Sequence, residues 1–266
     1  MSTSHYLETA LSAARAAEAV IRRYWEQGVE VTLKADESPV TRADVEAEEA
    51  IRKVILERFP EHGFFGEETG KTRADAEFTW LIDPIDGTKS FIRRTPFFST
   101  QIALTRGGEL ILGVSNAPLY GELAWAERGQ GAYINERRIR VGGVERLSDA
   151  AISLGNIKSL AQGPAWSALG GIVGEVNRTR GYGDFCHYHM LAAGQLDLVV
   201  ESDLNILDVA ALSVIVEEAG GVFTQLDGAP LGLESTSVLA AGSAGLHGEV
   251  LSRYQSPIKH PSQEAV

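Results

Sequence analysis

The chain has 266 residues, 44% hydrophobic and 23% charged, ordinary proportions for a folded globular protein with ample core. Its 36 acidic against 24 basic side chains give a formal net charge of −12, which argues against nucleic acid as the main partner. Cys186 is the single cysteine, so no intramolecular disulfide can form, and no run approaches the roughly 18 apolar residues of a membrane span. The N-terminus lacks a basic segment followed by an apolar one, so no secretion signal is expected and a cytoplasmic location is.

Leu7, Leu11, Ala14, Ile21 and Tyr24/Trp25 recur at helical steps and predict an amphipathic helix closed by Gly28. Val29–Leu33 alternates and reads as a strand; Lys34–Pro39 reads as a polar loop. Thr41 opens a second helix running to Phe59 and stopped by Pro60, with Val45, Ile51, Ile55 and Phe59 on its apolar face. Gly63–Gly66 is a short strand ending in Glu67 and Glu68, and residues 71–78 read as a mobile polar loop. Trp80–Ile82 is a buried strand running into Asp83-Pro-Ile-Asp-Gly-Thr88. Ser99–Thr105, Leu110–Asn116 and Glu122–Glu127 read as antiparallel strands joined by Gly- and Pro-containing turns. Beyond Val141-Gly-Gly143 strands alternate with helices. Strands are expected at 152–155, 196–201, 222–224 and 238–241, and helices at 164–174, 184–194, 208–219 and 245–254. Residues 256–266 read as a loose tail. The change of pattern divides the chain into an N-terminal α+β part (1–142) and a C-terminal α/β part (143–266).

Chemistry concentrates in acidic spots at element ends: Glu67/Glu68 and Asp83/Asp86 after strands, and Asp208 at a helix start. Closely spaced carboxylates repel unless a cation sits between them, and hard cations such as Mg²⁺ take oxygen ligands. Gly87 and Thr88 open a helix whose N–H groups favour an anion such as phosphate. A divalent cation beside a phosphate points to phosphoryl transfer, where two ions about 3.5–4 Å apart can clamp the attacking and leaving oxygens. No G-x-S-x-G elbow, Walker A loop or G-x-G-x-x-G fingerprint is present. Each acid also has a local reading: Asp44 as the partner of Thr41 in a capping box, Asp208 as a helix cap, Glu67/Glu68 as a solvated loop, Asp83/Asp86 as a turn around Pro84. His187 and His189 read as packed or exposed side chains rather than ligands. The joint occurrence around one strand-Asp-Pro-Ile-Asp-Gly-Thr stretch is poorly explained by caps and turns alone.

Four motifs, P-V-T-x-A-D at 39–44, G-E-E-T at 66–69, W-L-I-D-P-I-D-G-T at 80–88, and L-D-V-A-A at 207–211 with E-E-A-G-G at 217–221, resemble those of the inositol monophosphatase family. The resemblance covers residues 5–255. It implies a layered α-β-α-β-α sandwich of the sugar phosphatase type, a homodimer, two or three Mg²⁺ ions per subunit and a small-molecule phosphate ester as substrate. It further implies that Glu67, Asp83, Asp86, Asp208 and the Ile85 carbonyl ligate metal. Glu68 would stand behind them or serve a further ion. Thr88, hydrogen-bonded to Asp44, would orient the attacking water with Glu67, and the Gly87 and Thr88 N–H groups would hold phosphate. Leu207 stands where the family usually has Trp, so altered packing rather than lost activity is expected; Ser90 replaces a common Asn with little expected effect.

Arg180-Gly-Tyr-Gly-Asp-Phe-Cys-His-Tyr188 lies where the family reads the alcohol part of its substrate. Its G-D-F-x-x-Y form is similar to the histidinol-phosphate phosphatase branch, and Lys89 is compatible with that branch. Arg180, Asp184 and Glu201 are then the expected substrate contacts, the two carboxylates suiting the ammonium and imidazole of histidinol. Alternatively Asp184 caps the helix it begins. The competing substrates are inositol 1-phosphate or a broad set of sugar phosphates, and then 3′-phosphoadenosine phosphate. A catalytically silent regulatory protein is argued against by the intact acidic set.

Overall fold

The computed structural model describes residues 4–28, 31–33, 39–73 and 75–255. Residues 34–38 of the loop expected at 34–39, the first two residues of the strand expected at 29–33, and the tail at 256–266 lie outside them, while Pro39 begins a strand.

Helix α1 (His5–Gln27) starts where the Ser4 hydroxyl accepts from the Leu7 N–H at 3.1 Å, and it ends at Gly28. Strands β1 (Val31–Leu33) and β2 (Pro39–Thr41) pair as a small ribbon. Helix α2 (Arg42–Arg58) begins in a capping box formed by Thr41 and Asp44 and stops before Pro60. Then follow β3 (Gly63–Gly66), β4 (Gly70–Thr72), β5 (Phe78–Asp86), the short α3 (Thr88–Ile92), β6 (Ser99–Arg106), β7 (Glu109–Ala117), β8 (Glu122–Glu127), β9 (Gly131–Ile134) and β10 (Arg137–Ile139). These strands form an eight-stranded sheet in the order β10-β9-β8-β7-β6-β5-β3-β4, with β3 and β5 its parallel pair.

The second half supplies β11 (Ala151–Gly155), α4 (Ile157–Gln162), α5 (Trp166–Glu175), β12 (Arg178–Arg180), α6 (Asp184–Ala192), β13 (Leu198–Ser202), α7 (Ile206–Glu218), β14 (Val222–Thr224), β15 (Ser237–Ala241) and α8 (Ala244–Gln255). Its five strands order as β12-β11-β13-β15-β14, with β11 parallel to both its neighbours and the rest antiparallel.

The layering follows from which faces are apolar. Helices α1 and α2 have one apolar side and cover the outer face of the large sheet. Helix α7 is apolar all round, with every residue from Ile206 to Val216 except Asp208 buried, so it can only lie inside. It sits with α6 between the two sheets, packed on β5 to β9 on one side and β14 on the other. Helices α4, α5 and α8 cover the far face of the small sheet. The result is an α+β sandwich in five layers, α-β-α-β-α. Leu207 is buried in a small apolar cluster with Leu81, Ala103, Ala210 and Ala211.

Three expectations are corrected. Residues 71–78 are not one loop: β4 folds back on β3 and makes the sheet edge, because backbone pairing does not require apolar side chains. Val45 is 39% exposed; the buried face of α2 is Ala43, Asp44, Ala47, Glu48, Ile51 and Ile55, so two acids lie where an apolar stripe was expected. Helix α4 and strand β12 were not anticipated, both being short and carrying polar side chains.

Candidate metal centre and active site

Strand β5 delivers two carboxylates to one place by breaking its own register. Side chains of residues three apart on a regular strand point to opposite faces. Here Asp83 pairs with Gln101 and Asp86 with Ser99, so one extra residue is bulged out between them. Pro84, which has no N–H to leave unpaired, and buried Ile85 occupy the bulge. The Thr100 hydroxyl donates to the Pro84 carbonyl at 2.8 Å, and the Ile85 N–H donates to Asp83 Oδ1 at 2.9 Å. The third acid comes from α7, where Asp208 accepts from the Asn205 N–H and side-chain amide, each at 2.8 Å. Asn205 therefore caps α7 and Asp208 completes its capping box, while also facing β5. Ligand oxygens of Asp83, Asp86 and Asp208 lie within 4.8 Å of one another. Glu67, at the tip of the β3–β4 hairpin, lines the same cleft.

Crowding these acids raises their proton affinity. Burial, then the charges of Glu67, Asp86 and Asp208, hold Asp83 well above the usual carboxylate range. Burial, then Asp184, Asp208 and Glu201, do the same to Asp86. Burial chiefly pushes Asp208 up to about 7. The ionised carboxylates of Asp83, Asp86 and Asp208, held within 4.8 Å of one another, repel. A hard divalent cation would offset that repulsion, and the all-oxygen donor set suits Mg²⁺ rather than a softer metal.

Beside the acids, Gly87 turns the chain at φ +88°, and a Cβ there would come within 2.8 Å of the Phe97 carbonyl oxygen. It opens α3, whose start carries no side-chain cap. Thr88 Oγ1 lies 3.2 Å from Asp44 Oδ1 and 3.0 Å from the Ile85 carbonyl, so its single proton serves one of them at a time. Asp44 Oδ2 meanwhile accepts from the Thr41 N–H at 2.8 Å and hydroxyl at 2.6 Å. The capping box and the contact with Thr88 are thus both real, one on each carboxylate oxygen. The cleft, about 220 Å³, is completed by Lys89, Ser90, Asn156 and Asp184.

A smaller recess of about 80 Å³ shares Asp86, Asn156, Asp184 and Asp208 with this cleft and is closed by Tyr188, Glu201 and Leu204. Asp184 holds a left-handed backbone, φ +45°, one residue after Gly183, and no side chain caps α6. The capping alternative for Asp184 therefore has no support in the geometry. Burial and then the Glu201 charge raise Asp184 to about 6. The Tyr188 hydroxyl donates to Glu201 Oε2 at 2.7 Å, His187 Nε2 lies 3.1 Å from the same oxygen, and Ser153 Oγ lies 3.3 Å from His187 Nδ1. His189 is packed between Glu122 and Ser115, at 2.9 Å from each. Arg180 is not brought to the cleft: it is exposed, and its guanidinium donates to the Thr179 carbonyl at 2.7 Å.

Asn156, Ser99 and Gln101 carry no motif in the sequence, whereas Tyr188 ends the G-D-F-x-x-Y stretch. Gln101 Nε2 donates to Ser99 Oγ at 2.7 Å, and the Ser99 hydroxyl donates to Asp86 Oδ2 at 3.5 Å. Nothing local marks Asn156, Ser99 or Gln101, since only tertiary pairing brings them behind the acids.

Clustered carboxylates able to hold a hard cation, set against an uncapped helix start in a polar cleft, define a site for hydrolysing phosphate esters. The comparisons agree: the chain belongs to the inositol monophosphatase family, which matches residues 2–258. A histidinol-phosphatase of Mycobacterium tuberculosis is 35% identical over 253 residues, covering 93% of this chain and 96% of the relative. An inositol-1-monophosphatase of Rhizobium meliloti is 36% identical over 230 residues, covering 85% of this chain and 86% of the relative. The solved structure of the extragenic suppressor protein SuhB from Bartonella henselae superposes with a TM-score of 0.88 at 31% identity, covering 96% of this chain and all 100% of that one. The chain is accordingly a phosphatase acting on small phosphate esters, and no helix among the described residues is long and apolar enough to cross a membrane.

Proposed function

We propose that this phosphatase hydrolyses L-histidinol phosphate, with Mg²⁺ held by Glu67, Asp83, Asp86, Asp208 and the Ile85 carbonyl. One observation carries the choice of substrate: Asp184 and Glu201 place two carboxylates around the recess that adjoins the phosphate end of the cleft. An ammonium or imidazolium gains from such charges about 1.5–3 kcal/mol per hydrogen bond, which a neutral polyol does not. The histidinol-phosphatase relative supports the same reading. The inositol-1-monophosphatase relative favours a second reading, inositol 1-phosphate, in which Glu201 accepts from a ring hydroxyl.

Bound at the acidic cluster, Mg²⁺ would neutralise developing charge and lower the pKa of water. The chain's own groups divide the remaining tasks. The Gly87 and Thr88 N–H groups, with Lys89 nearby, hold the phosphate and turn its phosphorus toward Glu67 and Thr88. When Thr88 donates its proton to Asp44, its oxygen keeps lone pairs that can accept from water. Water oxygen bonds to phosphorus as the ester P–O bond breaks; the attacking water gives up one proton and the departing alkoxide takes one up from solvent, so the products are the alcohol and inorganic phosphate. No side-chain nucleophile is needed.

Asp44→Asn should lower kcat about 100-fold with a stability cost of about 1 kcal/mol. Asn must turn its oxygen to Thr41, so its amide faces Thr88 and occupies the lone pair that water needs. Unchanged kcat in a folded variant would remove Asp44 from the mechanism.

The substrate is tested by comparing kcat/KM at fixed Mg²⁺ for histidinol phosphate, inositol 1-phosphate, fructose 1,6-bisphosphate and 3′-phosphoadenosine phosphate. Equal values would defeat the histidinol reading. Asp184→Ala should raise KM for histidinol phosphate by roughly 10- to 100-fold and that for inositol 1-phosphate by less than about threefold. A uniform loss would make Asp184 a structural residue.

A further inference from the structure

Glu48 lies on α2 one turn after Asp44 and is fully buried. A buried carboxylate needs partners, and this one takes two backbone donors from the tip of the β3–β4 hairpin. The Glu68 N–H donates to Oε2 at 2.8 Å and the Thr69 N–H to Oε1 at 2.9 Å. The remaining tip N–H, that of Glu67, donates to the Ile82 carbonyl of β5 at 3.1 Å. All three N–H groups of the tip are thereby fixed. Gly66 permits the approach: a Cβ there would lie within 2.4–2.6 Å of the Glu48 carboxylate atoms. Asp44 and Glu48 share one helix face, so α2 braces Thr88 with one acid and the Glu67 loop with the next.

We infer that Glu48 is a positioning residue: by clamping the Glu68 and Thr69 amides it holds Glu67 at the acidic cluster and thereby sets the affinity for a divalent cation. The inference rests on Glu67 being a cation ligand, as proposed above. Residues that orient metal ligands typically change metal affinity by about 10- to 100-fold when replaced.

The test titrates metal-free protein with MnCl₂ and reads free Mn²⁺ by electron paramagnetic resonance, for wild type, Glu67→Gln, Glu48→Gln and Glu48→Ala. Glu67→Gln should weaken Mn²⁺ binding, Glu48→Gln should weaken it about tenfold, and Glu48→Ala should weaken it further. Amide hydrogen exchange on Glu48→Gln, which keeps one acceptor and the side-chain volume, should show faster exchange at Glu68 and Thr69. If Glu67→Gln weakens binding while Glu48→Gln binds Mn²⁺ like wild type, the inference is overturned and the Glu67 reading stands. A lowered melting temperature with unchanged affinity in Glu48→Gln overturns it in the same way. Wild-type affinity in Glu67→Gln overturns both.

Discussion

Asp83→Asn should melt a few degrees higher than wild type in metal-free buffer, yet hydrolyse phosphate esters about a thousandfold more slowly at saturating Mg²⁺. Both effects come from one charge. Asp83 is buried against the charges of Glu67, Asp86 and Asp208, and without a cation folding must either keep these charges together or take up protons. Asparagine is a close neutral imitation of the acid. Its oxygen can keep the Ile85 N–H bond made at 2.9 Å. The variant therefore keeps the bulge and removes that cost, for a gain of about 1–2 kcal/mol of stability. It also loses the anionic oxygen that a hard cation requires, which removes several kcal/mol of transition-state stabilisation. Thermal melting in chelator and steady-state kinetics check the two halves. Wild-type turnover would remove the cluster from the chemistry, and a lower melting point would mean that the carboxylates do not repel.

The second large effect is a stability profile that rises as pH falls. Metal-free protein should be more stable at pH 5 than at pH 8, by on the order of a few kcal/mol. Folding raises Asp208 to about 7 and Asp184 to about 6, and it raises Asp83 and Asp86 well above the ordinary range. In the unfolded chain these groups ionise near pH 3.9. Between about pH 4 and 7 the folded protein therefore binds more protons than the unfolded one. Their contribution is fully present below that window and is lost as pH rises through the folded values. Mg²⁺ should cancel the loss, raising the melting temperature strongly at pH 8 and weakly at pH 5, where protons compete for the same oxygens. Melting curves at pH 5, 6, 7 and 8, with and without MgCl₂, decide it. A flat metal-free profile, or an equal Mg²⁺ effect at both ends, would sink it.

The acids were legible in the sequence because each sits at an element boundary that local rules mark: Thr41 to Asp44 as a capping box, Asp83 and Asp86 after an apolar strand, Asp208 in the first turn of α7. Their convergence was not legible from alternation. A regular strand would have sent Asp83 and Asp86 to opposite faces, and the bulge that reunites them exists only in the pairing with β6. Glu48 was invisible for a related reason. An acid on a helix reads as a solvated charge until a hairpin 20 residues on turns its amides toward it. Arg180 shows the converse: a basic residue beside a substrate-reading segment reads as a contact, yet the end of β12 turns it to solvent. β4 escaped because Gly-Lys-Thr has the composition of a loop and gains its structure from β3 alone.

Helix α7 carries Asp208 at its start while its body is wedged between the two sheets. The last acid of the cluster therefore reaches the others only through the seating of that helix on the large sheet. A cation at the cluster would act as a rivet through two layers, resisting their separation as well as serving the reaction.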